Sequence, residues 1–252
     1  MGAGPFRLDS RRAVVTGGAS GIGEATVRAL AAAGASVGIV DLDRERAEAL
    51  AGELGSLVTA AVLDITDGPA VAGFFGGLAG LDILVNNAGI GFVGSIEETP
   101  AADWDRLFRV NVDAVYLCSR YALPLLLASG KGQIVNIGSV AGLTAVKRRA
   151  AYCATKGAVV ALTRQMAIDY AGRLRVNCIC PGTIHSPFVE GYLERFHKHE
   201  KDKVRADLHA RQPIGRMGRP DEVAHMVLYT CSDEAEYMTG SILTIDGGWT
   251  AQ

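Results

Sequence analysis

Short apolar runs alternate along the chain with longer segments whose apolar residues return every three to four positions. RAVVT at 12–16, LDILV at 81–85, QIVNI at 133–137 and similar runs at 36–40, 57–63, 174–179 and 242–245 predict strands. The intervening period predicts helices over 21–33, 44–54, about 69–78, 101–128, 152–171 and 221–231. The strands are apolar on both faces, as strands inside a parallel sheet are. Strict alternation of this kind predicts an α/β fold, a doubly wound parallel sheet with helices on both sides. Pro124 falls inside the long 101–128 pattern and predicts a kink there. No linker, repeat or low-complexity tract divides the chain, so residues 1–252 read as a single domain. The rhythm fails between about 183 and 218, where no strand pattern appears and the charged run 194–203 (ERFHKHEKDK) reads as a solvated helix face. An insertion beyond the carboxyl end of a strand is where a helical substrate lid is expected.

Composition narrows the partners. A chain of 252 residues can bury a large core without disulfide staples. Hydrophobic residues at 49%, charged residues at 21% and a mean hydropathy of +0.20 describe a globular protein rather than a disordered one. Lys+Arg 25 against Asp+Glu 27 leaves no cationic surplus for nucleic acid. No apolar run approaches the roughly 18 residues of a membrane span, and residues 1–12 lack a signal-peptide core, so no membrane association is expected. Cys118, Cys153, Cys178, Cys180 and Cys231 sit mostly in apolar surroundings and read as reduced thiols of a cytoplasmic protein. No metal site is expected. Cys178-x-Cys180 lacks a second ligand pair, and His185, His197, His199 and His209 read as solvated side chains.

The turn between the first predicted strand and helix reads Thr16-Gly-Gly-Ala-Ser-Gly-Ile-Gly23. Glycines at 17, 21 and 23 permit a sharp turn, close approach of backbone to a pyrophosphate and an open helix amino terminus. The spacing differs from G-x-G-x-x-G, so the strand–turn–helix setting carries the reading. Asp41 ends the second strand, where a carboxylate can accept from adenosine ribose hydroxyls and repel a 2′-phosphate. With no basic residue in the loop, NAD is favoured over NADP, although Arg44 stands close enough in sequence to reach a phosphate. Asp41 also suits a helix cap in DLDRE, and the two roles are compatible.

Tyr152 and Lys156 are four residues apart, on one face of a predicted helix. An ammonium beside a phenol favours the phenolate, the form that can take a proton. Ser139 follows the strand in QIVNIGS, Asn86-Asn-Ala-Gly89 follows LDILV, and Asn111 lies in the long helix after it. With TGGASGIG, Pro181-Gly182 and the ending Ile245-Asp-Gly-Gly-Trp249, these motifs resemble the short-chain dehydrogenase/reductase family over essentially the whole chain. That resemblance implies a Rossmann-type fold and hydride transfer between a secondary alcohol carbon and nicotinamide C4. It implies Tyr152 as general acid/base, Lys156 as ribose ligand and support of the phenolate, Ser139 as partner of the reacting oxygen, and Asn111 as holder of a water linking Lys156 to solvent. The cofactor set it implies is Gly17, Ser20, Gly21, Ile22 and Gly23 in the turn, Asp41 and Leu42, Asp64 and Ile65, then Asn87, Ala88 and Gly89. Tyr152, Lys156, Pro181, Gly182, Thr183 and Ile184 complete the set.

Lys147-Arg148-Arg149 precedes Tyr152, and Arg211 closes the 183–218 segment. A guanidinium fork matches a carboxylate. Arg149 is expected beside the phenol, Arg148 outward, and Arg211 as a second donor, so the substrate set is Ser139, Arg149, Tyr152 and Arg211. Resemblance to hydroxy-acid and deoxy sugar-acid dehydrogenases gives a small anionic substrate, and the few aromatics of the segment (Phe188, Tyr192, Phe196) argue against a steroid-like one. A 3-oxoacyl thioester reductase is the alternative within the enzyme class, with Asp41 against it. A non-catalytic nucleotide-binding sensor is the alternative outside it, with the complete Ser/Tyr/Lys/Asn set against it. The 101–128 and 152–171 helices carry more apolar positions than one buried face needs, and the resemblance points to them as the pairing surface of a homotetramer.

Overall fold

Seven strands pair in parallel in the order β3-β2-β1-β4-β5-β6-β7. They are β1 (Arg12–Thr16), β2 (Ser36–Asp41), β3 (Val58–Val62), β4 (Ile83–Asn86), β5 (Gly132–Ile137), β6 (Leu174–Pro181) and β7 (Ile242–Ile245). The helices are α1 (Gly21–Ala32), α2 (Arg44–Leu54), α3 (Gly68–Gly76), α4 (Ala101–Phe108), α5 (Ala114–Ser129), α6 (Ala150–Asp169), α7 (Pro187–Phe196), α8 (Lys201–Ala210) and α9 (Pro220–Cys231). This computed structural model describes residues 5–252; the part of the signal-peptide reading that rests on residues 1–4 lies outside the described residues.

Alternate side chains of each strand enter opposite layers, as the two-residue period of a strand requires. Val15, Ile39 and Val85 pack with Val27 and Leu30 of α1 and Val223 and Val227 of α9. Val14, Val40 and Leu84 face the other way, against Phe75 of α3, Ala122 and Leu126 of α5 and Met166 of α6. Asp43 caps α2 by accepting from the Arg46 amide, and Asp67 caps α3 by accepting from the Ala70 amide. The chain leaves β3 at one edge and returns to the far side of β1 as β4. The crevice that this reversal opens at the carboxyl ends of β1 and β4 is where the site lies.

The doubly wound sheet is the one expected, with local differences. The 101–128 pattern is two helices, not one. A turn of π-helix over Arg109–Asp113 separates α4 from α5, and α5 runs on through Pro124. The irregularity falls fifteen residues before the proline because Asn111, within the π turn, bonds the backbone at Ile90; π turns recur at functional sites. The strand read at 81–85 extends instead to Asn86, which pairs with Thr16 and Asn136. Leu57 precedes β3 in a short 3-10 turn and is 43% exposed. The 183–218 segment holds α7 and α8, and a bridge between Ile184 and Gly218 closes its two ends together.

Candidate active site

A cleft of about 440 Å³ opens over the carboxyl ends of the strands. Gly17, Ser20, Gly21 and Ile22 form one wall, followed by Asp41 and Leu42, then Asp64 and Ile65. Asn87, Ala88 and Gly89 form the floor at the end of β4, and Pro181, Gly182, Thr183 and Ile184 line the end of β6. Gly23 is not part of this lining. A Cβ there would sit 1.9 Å from the Gly17 carbonyl oxygen, so Gly23 lets α1 pack on its own turn. Gly17 adopts φ +61, and a side chain on it would meet the Ala88 Cα at 2.9 Å.

The turn is held from below. The Thr16 hydroxyl accepts from the backbone N–H groups of Asn87 (3.1 Å) and Ala88 (3.2 Å), while Asn87 Nδ2 donates to the carbonyls of Thr16 and Gly17 at 3.0 and 2.9 Å. Ser20 makes no side-chain cap on α1, so the first-turn N–H groups keep no side-chain acceptor. This cradle fits the pyrophosphate of a dinucleotide, because a helix amino terminus with free donors attracts anions. At the far end, Asp41 accepts from the amides of Ala19 (3.0 Å) and Asp43 (3.1 Å), which fixes its carboxylate at the rim of the cleft.

Tyr152 and Lys156 project from α6 into the cleft beside Ser139, which follows β5. Lys156 is buried and its Nζ donates to the Ile137 carbonyl at 2.8 Å, lying 5.9 Å from the Tyr152 ring centroid. Ser139 Oγ accepts from the Ala141 amide at 3.1 Å, which leaves its own hydrogen free to donate. Asn111 stands behind the cleft rather than in it. Its Oδ1 accepts from Ile90 N (2.8 Å), and Nδ2 donates to Ile90 O (2.9 Å) and Thr155 Oγ1 (3.1 Å). Both amide donors are thus committed, and the side chain fastens the end of β4 to α6. A water could reach this amide only as a donor to Oδ1, which lies with Lys156 Nζ beside Gly89.

The arginine pair divides. Arg148, at φ +57, turns outward and pairs with Glu98 at 2.9 Å. Arg149 lines the cleft, donates to the Phe92 carbonyl at 3.3 Å and lies 4.5 Å from the Tyr192 ring centroid. Arg211 lines the same end, over the Trp249 ring at 5.1 Å. Burial lowers the Arg211 pKa from the usual guanidinium value, and the charge of Arg149 acts the same way while Tyr192 opposes it. Among the described residues, Arg149 and Arg211 form no salt bridge.

Trp249, Phe188 and Tyr192 also line the cleft, and none was in the expected site set. Phe188 lies 6.3 Å from the Tyr152 ring, centroid to centroid. The signal for Phe188 and Tyr192 was their four-residue spacing, which puts both on one helix face; Trp249, in the C-terminal turn, carried none. The five cysteines are unpaired, with Cys178 and Cys180 buried 3.7 Å apart. Among the described residues, no helix is long and apolar enough to cross a membrane.

A family model described as Enoyl-(Acyl carrier protein) reductase matches residues 17–250. The chain is 42% identical to 2-(S)-hydroxypropyl-CoM dehydrogenase 3 of Xanthobacter autotrophicus, over 97% of this chain and 98% of that one. It is 38% identical to 2-keto-3-deoxy-L-fuconate dehydrogenase of Xanthomonas campestris, over 97% of this chain and 81% of that one. Ligand-free aldohexose dehydrogenase of Thermoplasma acidophilum superposes with a TM-score of 0.90 at 31% identity, covering 99% of this chain and 97% of that one.

Proposed function

The chain belongs to the short-chain dehydrogenase/reductase family as a nicotinamide-dependent oxidoreductase, and we propose that it oxidises the secondary alcohol of a small anionic hydroxy acid or sugar acid with NAD. The observation that carries the substrate class is the placement of Arg149 and Arg211 at the Tyr152 end of the cleft, neither in an ion pair among the described residues and Asp207 acting on Arg211 only from a distance. Two guanidinium groups left so are costly to bury unless an anion arrives. The relative named for 2-keto-3-deoxy-L-fuconate supports an acid as substrate. Asp41 supports NAD: its fixed carboxylate suits ribose hydroxyls and opposes a 2′-phosphate.

A bound nicotinamide supplies the hydride acceptor. Tyr152 takes the hydroxyl proton as the carbinol C–H bond breaks, and Ser139 donates its free hydrogen to the reacting oxygen. Lys156, with one N–H spent on Ile137, keeps two to bind the ribose and to stabilise negative charge on the Tyr152 oxygen. Asn111 acts through Gly89 and Ile90 by holding the floor against α6. The helices α7 and α8 cover the substrate end as a lid. Exposed Tyr116 on α5 (46%) and Ile168 on α6 (75%) support pairing of these helices in a homotetramer. Unpaired cysteines support a cytoplasmic location.

The test is a panel of hydroxy acids and matched neutral alcohols, followed at the nicotinamide absorbance with NAD+ and with NADP+. Turnover of an acid with NAD+ is expected. Nucleotide binding without turnover of any member would favour the sensor reading instead.

A further inference from the structure

Tyr192 connects the two arginines to a half-buried hydrogen-bonded relay that ends on exposed Glu200. Its hydroxyl lies 2.7 Å from His197 Nε2, and His197 Nδ1 lies 3.1 Å from Glu200 Oε1. The ring of Tyr192 carries Arg149 on its face, and Tyr192 and Arg211 line the same cleft. A carboxylate only accepts, so Glu200 keeps the hydrogen of His197 on Nδ1. Neutral His197 therefore offers Nε2 as an acceptor, and the Tyr192 hydrogen is committed to it. Tyr192 lines the cleft, and its phenol oxygen then has only lone pairs left to offer a substrate, which repel a carboxylate. Protonated His197 donates from Nε2, the Tyr192 oxygen accepts, and the phenol hydrogen is released.

We propose that Tyr192 is a specificity-determining residue whose hydrogen-bonding sense toward the substrate is set by His197. With His197 neutral, Tyr192 is an acceptor in the cleft; with His197 protonated, it is a third donor beside Arg149 and Arg211. This rests on the reading of the substrate as an anion. The charged groups around the relay are Glu200 just before α8, Arg149 before α6, Arg211 after α8, Arg195 on α7, Arg106 on α4 and Asp207 on α8, while Glu194 and Lys201 pair with each other and Lys198 and His199 are exposed. By linkage, an anion that accepts from Tyr192 and a proton on His197 reinforce one another.

The experiment titrates the NAD+-saturated protein calorimetrically with 2-hydroxy-2-methylpropanoate, a carboxylate whose carbinol carbon has no hydrogen to give up. Measurements are made at about pH 6 and about pH 8, and the probe stays ionised at both. Wild type is expected to bind about tenfold more tightly at the lower pH, the effect of one added charged hydrogen bond. Tyr192→Phe keeps the ring under Arg149 and is expected to bind equally at both, at the weaker wild-type value. His197→Gln should flatten the dependence as well. Equal wild-type binding at the two pH values, or a pH dependence that survives in Tyr192→Phe, overturns the relay while leaving the anion reading intact. Absence of any binding, at either pH, overturns both.

Discussion

Lys156 Nζ donates to the backbone carbonyl of Ile137 at 2.8 Å, tying the middle of α6 to the end of β5 two residues before Ser139. This bond sets the spacing of the Ser/Tyr/Lys set, because the three side chains come from two elements that the lysine itself joins. It also divides the expected effects of two substitutions.

Tyr152→Phe keeps the packing against Phe188 and removes the proton carrier. Turnover should fall by at least about a hundredfold, with the dissociation constant for NAD+ unchanged. Lys156→Ala should weaken cofactor binding and turnover together. It also leaves the buried Ile137 carbonyl without its partner, so thermal stability should drop by about 1–3 kcal/mol. Steady-state rates, nucleotide titration and melting curves on the two variants check these outcomes.

Asp41 is expected to set cofactor choice. Asp41→Ala removes a hydroxyl acceptor and a charge that opposes a 2′-phosphate, so the ratio of kcat/KM for NAD+ over NADP+ should narrow by about tenfold. The variant should also melt lower, since the Ala19 and Asp43 amides lose their acceptor. A wild type that prefers NADP+ would transfer suspicion to Arg44, which pairs with Glu48 in the structure.

Glu222 gives a pH signature remote from the cleft. Hydrogen bonds from Arg216 at 2.6 and 2.9 Å, then from the Arg219 amide at 2.7 Å, lower its pKa from 4.5 to about 2. A depressed folded pKa contributes stability that is full above the unfolded value and is lost as pH falls through the folded one. The melting temperature should therefore decline between pH 4.5 and about 2, and Glu222→Gln should decline less over that interval. Parallel curves for the two proteins would show that the pairing contributes nothing.

The fold was legible because each buried strand and amphipathic helix announces its period locally. Much of the cleft lining was legible because the glycine turn, Asp41 and the Asn87–Gly89 run each sit at a strand end. The close packing of Gly23 on the Gly17 carbonyl was not legible, since such a contact leaves no mark in spacing. The break at Arg109–Asp113 was hidden too, since it follows from a bond between Asn111 and Ile90, twenty-one residues apart. Glu98, which turns Arg148 outward, lies fifty residues from it. His197 sits in a charged run that reads as solvated, yet Tyr192 on α7 and Glu200 just before α8 hold it half-buried. Pairings of this kind depend on where the chain folds back, which periodicity does not report.

The most direct test of the account compares Arg149→Met with wild type on two substrates, a hydroxy acid and a neutral alcohol of the same carbon skeleton. Met retains much of the apolar stem against Tyr192 and removes the fork. Loss of one partner of a desolvated charged pair predicts a fall in kcat/KM of roughly several hundredfold for the acid. The neutral alcohol should be turned over at nearly the wild-type rate, with cofactor affinity unchanged. Equal losses on both substrates would contradict the account, because Arg149 would then hold the loop at Phe92 rather than the carboxylate.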